Sequence, residues 1–400
     1  MNETNNTFLI EDSYYIPFAD KTHLSIEKGD GVYVWDENGK QYLDFTSGWG
    51  VTCIGHASPI ITDALCNQSK KIIQNPNSGA TYSPARSRLI QLFHEILPKH
   101  LTRIFFANSG AEANDAAIKL ARKVTGKKNI ISTEMSFHGR TISTVSATGQ
   151  DVHRNKFNPL MPGYFFVPFN DISAVKEIID QDVAAVIVEP IQGEGGVNIP
   201  SESNLLELSE VCRKHNVLFI ADEIQTGFFR TGPLFYSISK GAKPDIITMA
   251  KGIAGGFPFS AFAVTDEVVK GIQKGDHGGT YNGNPLGCAV SEAVIRYLID
   301  SDIQSYVTDL GTETIKRLNE WKEKYPKAIT EVRGQGLLIA LELTDDSKSA
   351  EIVNRCLDNG LILNLKHGHI IRIFPALTIT KQEMQTGLDI LEKEIVTCYS

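Results

Sequence analysis

From about residue 100 onward the chain repeats one pattern, a short apolar and β-branched run followed by a stretch of helical periodicity. Strand runs separated by helices cannot be joined as hairpins, so the pattern predicts an α/β fold with a mostly parallel sheet covered by helices. The strand runs fall at 103–107, 129–132, 183–188, 217–221, 246–249 and 259–264. The clearest helix covers 111–124, where Ala113, Ala117, Leu120 and Val124 recur on one face. Leu205, Leu208 and Cys212 repeat that spacing after the glycine-containing loop at 193–196.

The two ends of the chain read differently. Val32-Tyr33-Val34-Trp35 and Gln41-Tyr42-Leu43-Asp44-Phe45 flank Asn38-Gly39, a turn pair that accepts positive φ, so a β-hairpin is expected there. Beyond residue 295, an amphipathic helix at 310–324 leads into a strand expected over 332–343, bearing Gly334 and Gly336. A chain of 400 residues exceeds what one core usually holds. The division expected is an N-terminal segment 1–48, a large domain 49–295 and a small C-terminal domain 296–400, the segment 1–48 contributing to the small one.

Charge and hydropathy exclude several partners. The net charge of −8, with basic residues only in short pairs such as Lys70-Lys71, argues against nucleic acid. No apolar run is long enough to span a bilayer, and the first residues show neither a basic nor an apolar targeting region, so a cytoplasmic protein with no membrane partner is expected. Six cysteines without a paired spacing suit free thiols. Cys53-x-x-His56 and His367-x-His369 have ligand-like spacing, but no second cluster completes a coordination shell, so no metal is expected.

In open parallel sheets, ligands bind beyond the carboxyl ends of the strands. The residues at those ends are Ser109-Gly110-Ala111, Glu189, Asp222 and Lys251. Ser109 and Glu112 have the spacing of a capping box, and a helix N-terminus of small residues offers free N–H groups to a phosphate. Asp222 ends a run that should be buried, where a carboxylate needs a cationic partner such as a protonated pyridine nitrogen. Lys251 also follows an apolar strand, and burial lowers a lysine's pKa toward the range where its amine is nucleophilic. Taken singly, these are an ordinary capped helix, a buried ion pair and a strand-end lysine.

Together they resemble a known family. Phe106-Ala107-Asn108-Ser109-Gly110-Ala111-Glu112-Ala113, Phe137-His138-Gly139-Arg140, Val188-Glu189-Pro190-Ile191-Gln192-Gly193-Glu194, Ala221-Asp222-Glu223-Ile224-Gln225-Thr226-Gly227 and Ala250-Lys251-Gly252 are similar, in order and spacing, to the motif series of class III aminotransferases. The resemblance runs from about Gly31 to Pro375 and implies the fold-type I transferase architecture, with a large domain and a smaller α/β domain built from the chain ends. It implies pyridoxal phosphate as cofactor, with Lys251 forming the Schiff base and moving the substrate proton. Asp222 would bind the pyridine nitrogen, Gln225 the phenolic oxygen and Phe137 the ring face. Ser109, Gly110 and Ala111 would cradle the phosphate, with His138 and Glu189 completing the cofactor site.

The same resemblance implies that Thr280 reaches the phosphate of a neighbouring subunit, so that active sites are shared in a homodimer. Arg140 and Arg372 match the positions that hold the carboxylates of glutamate and 2-oxoglutarate, as a guanidinium does with paired hydrogen bonds. Glu194 matches the residue that neutralises the second arginine while an amine-ended donor is bound. The implied reaction is a ping-pong transfer from an amino-acid or ω-amino donor, of the ornithine, acetylornithine or 4-aminobutyrate kind, to 2-oxoglutarate. Trp49 belongs to the substrate loop but departs from the family, where an aliphatic residue or a tyrosine is usual. Residues 77–82 likewise lack the run common in acetylornithine enzymes.

Three other readings use the same residues differently. A mutase or decarboxylase on this fold keeps Lys251 and Asp222 but consumes no 2-oxo acid. A nicotinamide dehydrogenase needs a G-x-G-x-x-G turn, which the chain lacks. A non-catalytic cofactor-binding module, such as a regulator's effector domain, would be expected to carry a DNA-binding helix-turn-helix and a basic surface.

Overall fold

The computed structural model describes residues 3–400. Near the N-terminus β1 (Ile26–Asp30), β2 (Tyr33–Asp36) and β3 (Gln41–Asp44) form an antiparallel meander. The expected hairpin is its second turn. Gly39 takes φ +81°, and Asp36 Oδ1 accepts the backbone N–H groups of Asn38 and Lys40, both at 2.9 Å, which closes the turn from within.

The central sheet comprises β4 (Leu101–Ala107), β5 (Asn129–Thr133), β6 (Tyr164–Val167), β7 (Val183–Val188), β8 (Leu218–Asp222), β9 (Ile246–Met249) and β10 (Ser260–Thr265). Their order is β4-β10-β9-β8-β7-β5-β6. Neighbours from β9 through β6 pair in parallel, whereas β10 runs antiparallel to both β9 and β4. The mostly parallel sheet is therefore present with one reversed strand. β6 has no counterpart among the expected strands. It lies at the sheet edge, three of its four residues are only partly buried or exposed, and its Tyr-Phe-Phe-Val run shows no alternation.

Helices cover both faces, as the alternation of the strands requires. Ile187 and Ile220 pack with Ala116, Ala117 and Leu120 of the helix Gly110–Thr125, whereas Val186, Val188, Phe219 and Ala221 pack with Leu205, Leu208 and Cys212 of Asn204–Lys214. Adjacent strand residues point to opposite faces, so two separate cores form on one sheet. Every residue of β7 is buried, which is why it reads as an unbroken apolar run.

Toward the C-terminus the expected helix is longer, Ile303–Lys324, with Val307, Leu310, Leu318 and Trp321 buried. The single strand expected over 332–343 is two, β11 (Ile329–Gln335) and β12 (Leu338–Leu343), paired antiparallel. The chain reverses at Gly336, whose φ of +55° suits glycine best. β13 (Leu361–Ile362), β14 (Asn364–Lys366) and β15 (Ile370–Ile373) follow, and the sheet order is β11-β12-β15-β14. β13 instead pairs in parallel with β3, so the two ends of the chain share a sheet. Among the described residues no helix is long and apolar enough to cross a membrane.

Candidate active site

The parallel strands bring their carboxyl ends to one cavity of about 360 Å³. Its walls include Ser109, Gly110 and Ala111 after β4, Glu189 after β7, Asp222 on β8 and Lys251 after β9. Phe137, His138, Arg140, Glu194 and Gln225 also line it, from the loops between.

Asp222 is the last residue of β8, and only 2 % of its surface is exposed. A carboxylate so placed is tolerable only if its lone pairs are satisfied. Oδ2 accepts from Asn114 Nδ2 and lies against His138 Nδ1, each at 2.7 Å, while Oδ1 accepts the Ile224 N–H at 3.1 Å. Because the carboxylate is the acceptor, Nδ1 of His138 carries its proton. Asn114 is fixed in turn by Thr248 Oγ1, which donates to its Oδ1 at 2.7 Å. Sequence reading passed over Asn114, although an amide set among Ala113, Ala116 and Ala117 of that helix was the available signal, and the structure buries it fully.

Lys251 opens a short turn after β9 with φ +47°, a left-handed conformation that costs a non-glycine residue energy and is found disproportionately at functional sites. Its ammonium donates to Gln225 Oε1. Burial pushes its pKa below the ordinary lysine value, Glu194 counters that, and Arg372 reinforces it. Gln225 Nε2 is buried with no hydrogen-bond partner among the described residues, so a donor stands free beside Lys251.

The helix Gly110–Thr125 is capped by Ser109, whose Oγ accepts the Glu112 N–H at 3.2 Å. Glu112 Oε2 reaches back to the Asn108 N–H at 2.8 Å. Gly110 and Ala111 lie in the first turn, where backbone N–H groups have no intrahelical acceptor. A Cβ on Gly110 would stand 2.8 Å from Ile224 Cδ1, so the backbone there approaches its neighbour closely.

Glu189 accepts the Phe137 N–H at 2.8 Å and the Gly193 N–H at 3.1 Å, one on each oxygen. Burial pushes its pKa up to about 7, with His138 pulling down and Asp222 pushing up. Phe137 is flanked by the Arg140 guanidinium, 5.7 Å from its ring centre, and by the edge of His153 at 5.6 Å.

Arg372 on β15 is 0 % exposed and is reached through Glu194 rather than from the cavity wall. Its Nη1 donates to Glu194 Oε1 at 2.8 Å and to the Gly193 carbonyl at 2.9 Å, and Nε donates to Asn364 Oδ1 at 2.8 Å. Burial raises the Glu194 pKa, but Arg372, Lys251 and Lys366 outweigh it and bring the value down to about 2. Trp49, 52 % exposed with φ +67°, lies outside the cavity wall, with the Arg372 guanidinium 5.5 Å from its ring centre. Thr280 is exposed and does not line the cavity, and its carbonyl accepts from Ser78 Oγ and Gln74 Nε2, both at 2.5 Å.

The spaced cysteine and histidine pairs do not converge. Cys53 Sγ donates to the Gly252 carbonyl, His56 pairs with Asp44 and His369 with Asp346. Sequence reading also missed Arg230, a buried guanidinium whose Nη1 donates to the carbonyls of Leu337 and Pro375.

The family model described as aminotransferase class-III matches residues 14–395. An acetylornithine aminotransferase of Methanothermobacter thermautotrophicus is 41 % identical over 382 residues, covering 96 % of each chain. An acetylornithine/succinyldiaminopimelate aminotransferase of Buchnera aphidicola is 45 % identical over 387 residues, covering 94 % of this chain and 93 % of that protein. Among solved structures, an ornithine aminotransferase from Toxoplasma gondii superposes with a TM-score of 0.93 at 32 % identity, covering 98 % of this chain and 94 % of that one. That structure holds pyridoxal phosphate at partial occupancy in its active site.

Proposed function

This chain belongs to the class III aminotransferases, and from that premise we propose that it moves an amino group from an ornithine-, acetylornithine- or 4-aminobutyrate-like donor to 2-oxoglutarate, by a ping-pong course. The observation that carries this reading is the convergence of Asp222, Lys251 and the first turn of Gly110–Thr125 on one cavity. Pyridoxal phosphate fits the residues present: a buried carboxylate, an unpartnered Gln225 donor and free helix N–H groups. When bound, it supplies an electron sink for the carbon that carries the amino group.

The chain's own residues divide the work. Ser109, Gly110 and Ala111 seat the phosphate at the helix N-terminus. Asp222, oriented by Asn114 and His138, keeps the pyridine nitrogen protonated, and Gln225 donates to the phenolic oxygen. Phe137 covers the ring face, with Glu189 fixing the Phe137 and Gly193 backbones on either side. Lys251 would hold the cofactor covalently until the donor's amine displaces it, and the lysine amine so freed, made less basic by burial, would take the proton from the donor's amine-bearing carbon.

Substrate exchange falls to the arginines. With Glu194 against Arg372, the guanidinium is neutralised and an amine-ended donor is accepted. With Glu194 turned away, Arg372 takes one carboxylate of 2-oxoglutarate and Arg140 the other. Thr280 does not line the cavity of its own chain and is exposed, which supports a homodimer with shared sites, and sedimentation at micromolar concentration tests that assembly.

The deciding assay supplies pyridoxal phosphate, a panel of donors and 2-oxoglutarate, and measures glutamate. Parallel double-reciprocal lines are expected. Product from the donor with no consumption of 2-oxo acid would establish a mutase or decarboxylase instead, and cofactor binding without turnover a non-catalytic module.

A further inference from the structure

Glu194 is held by two cations. Arg372 Nη1 lies 2.8 Å from Oε1, and Lys366 Nζ lies 2.8 Å from Oε2, so each carboxylate oxygen has its own partner. The arrangement follows from strand geometry. β14 and β15 pair antiparallel with Asn364 opposite Arg372, and positions two apart on a strand share a face. Asn364 Oδ1 accepts from Arg372 Nε on that face, and Lys366 is two residues further along it.

The Glu194 main chain is tethered separately, since its carbonyl lies 3.2 Å from His367 Nε2. The carboxylate can therefore turn without the loop moving. Glu194 lines the cavity, whereas Lys366 does not. The side chains of Glu194 and Lys366 are only 12 % and 17 % exposed, so a Glu194 carboxylate leaving Arg372 with no second cation would be nearly buried and unpaired, a costly state. Arg372 Nη2 is buried without a partner among the described residues and gains one when a carboxylate arrives.

We propose that Lys366 is a positioning residue that retains the Glu194 carboxylate when it leaves Arg372, and so favours a dicarboxylic 2-oxo acid in the second half-reaction. This rests on the reading of Arg372 as the acceptor's carboxylate seat. In the closed arrangement Lys366 shares Glu194 with Arg372, and in the open one it is the direct ion pair that remains, with Lys251 acting on Glu194 from further away, so its removal penalises opening more than closing. The Trp49 ring, 5.8 Å from Lys366 Nζ and 5.5 Å from the Arg372 guanidinium, borders both cations.

The test follows the two half-reactions separately in the holoenzyme, with wild type, Lys366→Met, Lys366→Gln and Lys366→Arg. The expected result is a rise of about fivefold or more in KM for 2-oxoglutarate in Lys366→Met and Lys366→Gln, with the donor half-reaction within about twofold. Lys366→Arg restores the acceptor KM. In a Glu194→Gln background, Lys366→Met produces no further rise, because no carboxylate is left to hold.

An unchanged acceptor KM in wild-type-like Lys366→Met overturns the inference. So does a parallel fall in both half-reactions, or a rise that persists in the Glu194→Gln background, which would mean that Lys366 attracts the acceptor directly. Wild-type enzyme that forms no glutamate from 2-oxoglutarate overturns the acceptor assignment itself, and this inference with it.

Discussion

His138 Nδ1 and Asp222 Oδ2 lie 2.7 Å apart with both side chains almost fully buried, so the aspartate meets the cavity with its charge already oriented by a neighbour. Asn114 completes the hold on the same oxygen. Asp222→Asn keeps the shape but removes the charge, and its amide cannot maintain a protonated ring nitrogen. A loss of about 100-fold or more in kcat is expected, the scale of removing one preorganised electrostatic partner. Steady-state kinetics with saturating pyridoxal phosphate checks it. Activity within threefold of wild type would remove Asp222 from the proposed mechanism.

Lys251→Ala tests the covalent attachment independently of turnover. Borohydride reduction of wild-type holoenzyme should fix the cofactor to the peptide containing Lys251, as mass spectrometry reads directly. The variant should carry no label there and should lose on the order of 10²–10⁴-fold in rate with its proton-transfer group. Label on a different lysine in wild type would show that the attachment site has been misassigned.

The strand-end residues were legible in the sequence because a parallel sheet buried on both faces writes its strands as apolar runs, and Glu189 follows one of them directly and Lys251 follows another after Ala250. Asp222 was legible for a related reason, as a charge closing such a run. Other features depend on distant partners. Lys366 looks like any polar strand residue until β14 pairs with β15 and meets Glu194 from a different part of the chain. Gly334 and Gly336 read alike, yet only Gly336 takes positive φ and splits the expected strand. Residues such as Trp49 and Thr280 were placed by family resemblance, and within one chain neither reaches the cavity wall.

Glu189 gives a pH prediction for the cofactor-free protein. Burial raises its folded-state pKa from the ordinary 4.5 to about 7, so between these values the folded chain binds a proton that the unfolded chain has released. Stability from this group therefore falls as pH rises from 4.5 to 7 and is level above that. Glu189→Gln cannot titrate, and denaturant unfolding should show its stability relative to wild type improving across that window. A difference independent of pH between 4.5 and 7.5 would contradict the raised pKa.

Gly387 tests how the chain ends are joined. It lies in the C-terminal helix Lys381–Tyr399, and a Cβ there would meet the ring of Phe45, with Cε1 at 2.7 Å and Cε2 at 2.8 Å. Phe45 is 0 % exposed and immediately follows β3, so it has little room to yield. In an unobstructed helix, alanine would gain about 1 kcal/mol over glycine from propensity. Overpacking costs about 1–3 kcal/mol, and the contact with a fully buried ring places this site at the upper end, so the clash wins. Gly387→Ala should lower unfolding free energy by about 1–2 kcal/mol, the difference of those terms. Phe45→Leu made in the same chain should recover part of the loss, giving a favourable coupling in a double-mutant cycle. A stabilised Gly387→Ala protein, or strictly additive effects, would show that this contact does not limit the packing of the C-terminal helix.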